Sequence, residues 1–332
     1  MLIFKNFTEA YYDLVDLVYN DTDHEVAPRG MKIKERLGVF FEIQMPRNRL
    51  LYVPERKFSL PYTIAETLWY LTGDNTTEWI SEYSSFWKKI SEDGKAHSAY
   101  GQHIFGKNNI PLSTNPIAVD SNSESQWEYV LRELRNDPDS RRAVMHIRQP
   151  KHSWIAEKDV PCTLTLQFIL RDNKLNLITN MRSSDLIYGL SYDVPAFTFL
   201  QELMALELGV ELGWYRHLSA SLHIYERHFE MCENIMKNDP RRESWVYTPQ
   251  MPEMPSPPPI DYLNKVQWKL RDAATSDELE ELVNMFNPDV PAYWNDWVNI
   301  LAVRKAKKLK ATDLKNRIHK NISFAGYKAV LK

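Results

Sequence analysis

The chain has 332 residues, with 41 Lys and Arg against 44 Asp and Glu, a net charge of −3 and two cysteines. That length supports one large hydrophobic core or two modest ones. The near-balanced charge argues against a generally basic nucleic-acid binder and leaves room for a local anion pocket. Cys162 and Cys232 are too few for a disulfide scaffold or a cysteine-based zinc site. No apolar run approaches the ~18 residues that cross a bilayer, and Met1-Leu-Ile-Phe-Lys5 lacks the basic start and apolar core of a signal peptide. These features predict a soluble protein of the reducing cytoplasm.

In chain order, Phe7 to Asn20 has helical apolar period and predicts an N-terminal helix. Arg29 to Arg36 reads as a basic loop and Leu37 to Gln44 as a strand rich in branched and aromatic residues. Tyr62 to Thr72 predicts a helix stopped by Gly73-Asp74-Asn75, and residues 77 to 92 a second helix with large aromatics. Residues 108 to 123 are loop-like. Ser125 to Arg135 predicts a helix that ends in the turn Asn136-Asp-Pro-Asp139.

Three strands are expected next, at Ala143 to Ile147, Cys162 to Leu170 and Leu175 to Met181, the last two forming a hairpin about Arg171-Asp172-Asn173-Lys174. Val194 to Leu208 is apolar enough for a buried helix, and Leu222 to Lys237 predicts another. Thr248 to Ile260 holds six prolines and reads as a surface connection. Residues 261 to 332 predict a charged, helical extension in which the basic run Arg304 to Lys310 is a solvated face. The expected fold class is α+β. The expected division is a catalytic domain over 1–240, a Pro-rich connection over 241–260 and the extension over 261–332.

Some residues carry chemical signals of their own. A lone Cys in a strand is usually a small buried hydrophobe, so Cys162 needs its context to be read otherwise. Glu66 lies on the apolar face of its helix, where an unpaired carboxyl is costly. Arg141-Arg142 could cap the turn that contains Asp137 and Asp139, or hold an anion by forked contacts.

That context comes from several segments together: Asn136-Asp-Pro-Asp-Ser-Arg-Arg142, Pro161-Cys162, Met181-Arg-Ser-Ser-Asp185, Gly189-Leu-Ser-Tyr-Asp193 and His223-Ile-Tyr225. They resemble the thymidylate synthase family over roughly residues 25 to 237. The resemblance implies a mixed sheet packed by helices and a homodimer formed through that sheet. It makes Cys162 the nucleophile that attacks C6 of a pyrimidine nucleotide and activates C5. Arg29, Arg141, Arg142 and Arg182, with Ser183, match the phosphate-binding set, the Arg141-Arg142 pair reaching into the partner's site. Glu66 matches a residue that organises water and moves protons, and Tyr100 one close to the nucleophile. His223 and Tyr225 match a pair on the sugar hydroxyl, and Gln167 is a further candidate for ordering the pocket. Trp87, Asp185, Gly189 and Tyr192 match positions that hold 5,10-methylenetetrahydrofolate, the implied co-substrate. No metal, membrane or direct nucleic-acid partner is implied.

One residue departs from the family in a chemically pointed way. Where its members read uracil with an Asn, this chain has Asp193. Cytosine presents an N3 acceptor beside an N4 donor, and a protonated Asp complements both. Uracil in such a site would leave groups unpaired, at ~1–3 kcal/mol each. The same proton would stabilise charge growing on N3 as Cys162 adds.

Asp159 and Thr163 replace an apolar residue and a histidine near the nucleophile and are candidates for positioning water. Ser191 stands where Gly-Leu-Pro has proline, and the C-terminal Phe324 to Lys332 does not match the family's. The expected activity is folate-dependent 5-hydroxymethylation of dCMP, which suits phages that modify DNA cytosine. The alternatives are a 5-methyl-dCMP synthase, a CMP hydroxymethylase, or a non-catalytic nucleotide-binding homologue.

Overall fold

A computed structural model describes residues 1–107, 124–153, 159–242 and 248–331. The loop expected over 108–123 lies outside the described residues. The chain divides into two compact units. The first holds residues 1–58, 126–153, 160–242 and 248–251, and the second 59–107, 124–125, 159 and 252–331.

The first unit is built on one mixed sheet. Its strands are β1 (Leu2–Phe4), β2 (His24–Val26), β3 (Ile33–Ile43), β4 (Val144–His146), β5 (Thr163–Arg171), β6 (Lys174–Met181), β7 (Ser184–Asp185) and β8 (Glu211–Tyr225). The order is β1-β3-β8-β6-β5-β4, with β2 on β3 and β7 on β8. The β5–β6 hairpin is present as expected, and Asp172 and Asn173 both take positive φ in its two-residue turn (51° and 57°).

Five of the expected helices are present, α7 in shortened form. α1 (Phe7–Asn20), α2 (Leu60–Leu71), α5 (Gln126–Asn136), α6 (Ser191–Leu208) and α7 (Phe229–Lys237) each carry a buried apolar face, and α6 is buried nearly all round. In the sheet unit α6 packs on β6 and β8. Its Gln201 donates to the carbonyls of Leu175 and Trp214, both at 2.9 Å, where the β6–β8 pairing shifts register.

Four expectations are corrected. Leu222 to Tyr225 is the end of β8 and not the start of a helix; α7 begins only at Phe229, after a turn at Glu226–His228. The strand was hidden because its inward positions include His217 and Ser219 as well as Tyr215, so the alternation of burial is not an alternation of hydropathy. β3 starts at Ile33, so much of the supposed basic loop is strand. Residues 77 to 92 are not one helix: they hold a turn at Ile80–Glu82 and the short α3 (Phe86–Ile90), separated around Ser84 and Ser85. The Pro-rich stretch is more than a surface connection, because Met251 and Met254 are buried and Asn48 Nδ2 donates to the Thr248 carbonyl at 2.9 Å.

The second unit is helical. α2 packs with α4 (Tyr100–Phe105) and with α8 (Ile260–Asp272) and α10 (Ala292–Lys308) of the C-terminal helices, which also include α9 (Ser276–Asn284), α11 (Thr312–Asn321) and α12 (Ala325–Val330). The extension is therefore not a solvated appendage: α10 lies on α2, and Trp294, Trp297 and Ile300 are buried. Asp296 accepts the backbone N–H of Ser323 (2.6 Å) and Phe324 (2.9 Å), which fixes the approach to α12.

α4 meets α2 through Gly101, where a Cβ would stand 2.4 Å from both the Cα and the carbonyl oxygen of Tyr70. No rotamer relieves a clash with backbone. Gly101→Ala is expected to lower stability by ~1–3 kcal/mol, visible as a reduced urea midpoint; an unchanged midpoint would show that the α2–α4 contact can give.

Candidate active site

In the sheet unit, the hairpin places the nucleophile candidate. From Thr165↔Asn180 to Arg171↔Lys174 the pairing is regular, and a bulge between Thr163 and Thr165 then shifts it so that Thr163 faces Met181. The next pair outward is Cys162 and Arg182, whose backbone N–H donates to the Cys162 carbonyl at 3.0 Å. The Arg182 guanidinium donates to the carbonyls of Pro161 (3.0 Å) and Val160 (2.8 Å), and its Nη2 lies 3.6 Å from Cys162 Sγ. A cation held against a half-exposed sulfur is the environment of a reactive thiolate rather than of an inert buried Cys. Cys232, by contrast, is fully buried, and burial pushes its thiol up to about 12.

The other candidate arginines are exposed. Arg141 and Arg142 are exposed, and among the described residues neither side chain has a hydrogen bond or ion pair. Gln167, on β5, donates to the Arg141 carbonyl at 3.1 Å and so steadies the turn that carries the pair. Arg29 is exposed on a left-handed turn (φ 54°) beside Gly30. Ser183 follows Arg182 and is half-buried.

The short β7 pairs Asp185 with His223 of β8, and Tyr225 lies two residues on with its ring edge-on to His223 at 5.1 Å. Burial holds the His223 imidazole below its usual range, with Asp185 opposing that shift. Asp185 Oδ1 accepts the N–H of Ile187 (2.9 Å) and Tyr188 (3.3 Å), capping the π-turn Leu186–Leu190. Its Oδ2 meets no donor among the described residues. Gly189 sits between the two carboxyls: a Cβ there would lie 3.5 Å from Asp193 Oδ2 and 3.6 Å from Asp185 Cβ.

Asp193, in the first turn of α6, is the most perturbed carboxyl of this unit. It keeps part of its surface, yet burial, reinforced by the charge of Asp185, raises its pKa to about 7. No hydrogen bond or ion pair reaches it among the described residues. It therefore holds or releases its proton in the neutral range and can donate a hydrogen bond.

Arg56 was missed by sequence reasoning. It is buried (2% exposed), donates to the Ile187 carbonyl and to Ser191 Oγ at 2.8 Å each, and lies over the rings of Tyr188 and Tyr192 at 5.2 Å. Phe58 stacks on Tyr192 from the same segment (5.4 Å). Ser191, which replaces the family's proline, thus receives Arg56 and donates to Ile187 at 2.6 Å. Nothing in Val53-Pro-Glu-Arg-Lys57 marks Arg56 in advance.

The helical unit carries the remaining residues. Glu66 is buried at 7% exposure on α2 and accepts from Tyr62 Oη at 2.6 Å, one turn earlier on the same face. Trp87 Nε1 donates to Tyr62 Oη at 3.0 Å, so Trp87, Tyr62 and Glu66 form one hydrogen-bonded chain. Tyr62 was not nominated from the sequence. Tyr100 opens α4 with its ring 5.6 Å from Tyr70. Asp159 is buried, accepts the Ser98 N–H at 2.8 Å and has its carboxyl raised by burial. Thr163, in the sheet unit, is fully buried and its hydroxyl donates to Met181 Sδ at 3.0 Å.

A family model described as Thymidylate synthase matches residues 9–256. The chain belongs to the thymidylate synthase family. It is 30% identical over 288 residues to a deoxyuridylate hydroxymethyltransferase of Bacillus phage SP01, covering 84% of this chain and 71% of that protein. A deoxyuridylate hydroxymethyltransferase of Pseudomonas phage M6 is 32% identical over 196 residues, 54% of this chain and 49% of its own. The thymidylate synthase of Corynebacterium aurimucosum is 26% identical over 242 residues, 69% and 85% respectively. The chain is a folate-dependent enzyme of one-carbon transfer to C5 of a pyrimidine nucleotide, with methylenetetrahydrofolate as co-substrate. Among the described residues there is no cluster able to hold a metal and no helix long and apolar enough to cross a membrane.

The raised pKa of Asp193 has a stability consequence. A carboxyl that titrates near 7 when folded and near 4 when unfolded binds its proton more tightly in the native state, so stability falls as pH rises from about 4 to 7. Urea unfolding at pH 5 and pH 8 is expected to show a loss on the order of 2 kcal/mol in the wild type that Asp193→Asn lacks. Equal pH dependence in the two proteins would mean that Asp193 is ordinary.

Proposed function

We propose that the chain makes 5-hydroxymethyl-dCMP from dCMP. The observation that carries the base assignment is Asp193: a carboxyl free of protein partners among the described residues, titrating at about 7. Protonated, it donates to N3 of cytosine and accepts from N4, and it stabilises N3 as charge arrives there. Cys162 Sγ adds to C6, with Arg182 beside the sulfur. The co-substrate supplies a one-carbon unit at the methylene level, C5 takes it and the C5 proton leaves. Water then completes the hydroxymethyl group as tetrahydrofolate is released, and the thiolate departs from C6. Similarity to phage hydroxymethyltransferases supports water rather than hydride as the last reactant. Glu66, hydrogen-bonded to Tyr62, is assigned the handling of water and protons, and Asp159 remains a candidate for holding the water.

Arg29, Arg141, Arg142, Arg182 and Ser183 are assigned to the 5′-phosphate, and His223 with Tyr225 to the sugar. Trp87, Asp185, Gly189 and Tyr192 are assigned to the folate, the unused Oδ2 of Asp185 suiting the pterin's donors. The exposed and uncommitted Arg141 and Arg142 suit a homodimer in which they serve the partner's site.

A second reading is favoured by the two phage relatives, which are deoxyuridylate hydroxymethyltransferases. A neutral carboxyl carries its proton on either oxygen. Like the family's Asn amide, it could then also accept from N3–H of uracil and donate to O4.

Mass spectrometry of products from dCMP, CMP and dUMP with methylenetetrahydrofolate decides among these. Hydroxymethyl-dCMP is expected, with turnover lost in Cys162→Ala and preference moved toward dUMP in Asp193→Asn. Turnover of dUMP alone by the wild type would overturn the cytosine assignment, and a methyl product would overturn the role of water.

A further inference from the structure

The helical unit contains a cleft lined by none of the residues assigned above. Trp79, Glu82 and Tyr83 form one wall, Gln267 and Arg271 of α8 and Arg304, Lys305 and Lys308 of α10 the other; it holds about 340 Å³ of empty space, part of it open solvent. The α10 residues belong to the basic run that reads as a solvated face, but Arg304 and Lys305 are half-buried against α8 and the 77–90 segment.

The charges in the cleft are unevenly matched. Lys308 pairs with Glu82 at 2.6 Å, and Arg271 reaches Glu78 (2.7 Å) and Asp272 (2.9 Å). Arg304 instead lies over the Tyr83 ring at 4.4 Å and donates to the Glu82 backbone carbonyl. Lys305 Nζ donates to the Arg271 carbonyl at 2.7 Å. Neither meets a carboxylate among the described residues. Burial, and then the neighbouring Lys308, hold the Lys305 ammonium below its usual range.

Gln267 supplies an independent sign of something missing. It is 1% exposed, and neither its amide nitrogen nor its oxygen has a hydrogen-bond partner among the described residues. A buried amide left in that state costs ~1–3 kcal/mol, and native structures rarely tolerate it without a bound group nearby.

We propose that this cleft is a second anion site, built for the phosphoryl group of a small phosphorylated molecule. Arg271, Arg304, Lys305 and Lys308 line the cleft against one carboxylate, Glu82, and this net positive charge matches a dianion better than a single carboxylate. A tetrahedral oxyanion accepts from a guanidinium, an ammonium and an amide at once. The aromatic wall holds the Arg304 fork in place before the ligand arrives, which lowers the ordering cost of binding.

The test uses the full-length protein in phosphate-free buffer, with inorganic phosphate titrated by calorimetry. The wild type is expected to show one more site per chain than Arg304→Gln/Lys305→Gln, or a site at least ~10-fold tighter. Catalytic turnover in phosphate-free buffer should be the same in both, and Arg182→Gln should keep the cleft's site. Should the double variant not fold, Lys305→Gln alone is expected to weaken the same site. Equal stoichiometry and affinity in wild type and variant would overturn the proposal, as would loss of all phosphate binding in Arg182→Gln. A parallel titration with dTTP separates the sources. Displacement of phosphate from this site by dTTP with ~10-fold greater affinity, sensitive to the same substitutions, identifies a nucleotide. Binding of phosphate without such displacement identifies the free ion.

Discussion

One guanidinium organises the reacting end of the sheet. Arg182 holds the carbonyls of Val160 and Pro161 and reaches the sulfur of Cys162. Its position depends on a single irregularity, the bulge between Thr163 and Thr165 that shifts the β5–β6 pairing by one residue. Without that shift Ser183 would face Cys162 and the cation would project from the other face of the sheet. The nucleophile's charge environment is therefore a consequence of strand register.

The second constraint is the turn between β7 and α6. Asp185 caps it from one side, and Arg56 clamps it through Ile187 and Ser191 from the other. This rigid turn brings two carboxyls, Asp185 and Asp193, onto either side of Gly189. They are given different characters by what surrounds them. Asp185 accepts two backbone N–H groups, whereas Asp193 has no such donor among the described residues and is pushed toward the neutral acid. One site can thus present an acceptor and a donor from the same residue type.

The helical unit shows how a polar group is kept in a buried face. Glu66 would be costly on α2 but for Tyr62, one turn away, which is itself held by Trp87. The C-terminal helices, though rich in charge, bury Trp294 and Trp297. Their α10 also carries Arg304 and Lys305 of the cleft near its C-terminal end, so the same helix serves the core along its first turns and the cleft along its last.

Much was legible from the sequence because it rests on short-range physics. Apolar pattern marked α1, α2, α5 and α6, the Asp172-Asn173 turn marked the hairpin, and the resemblance of local motifs to the thymidylate synthase family nominated Cys162, Arg182, Asp185 and Asp193. Tertiary structure alone decided the rest. β8 was hidden because its buried positions are polar residues satisfied by each other, as in Tyr215 Oη with His217 Nδ1 at 2.8 Å. Arg56, Tyr62 and Gln267 matter through partners 4 to more than 100 residues away, or through the lack of any, and no local pattern announces that. Residue types and their spacing determine which groups are available for chemistry. Register, burial and long-range partners determine which of them are charged, held or left open, because those depend on the dielectric and geometry that only the folded chain creates.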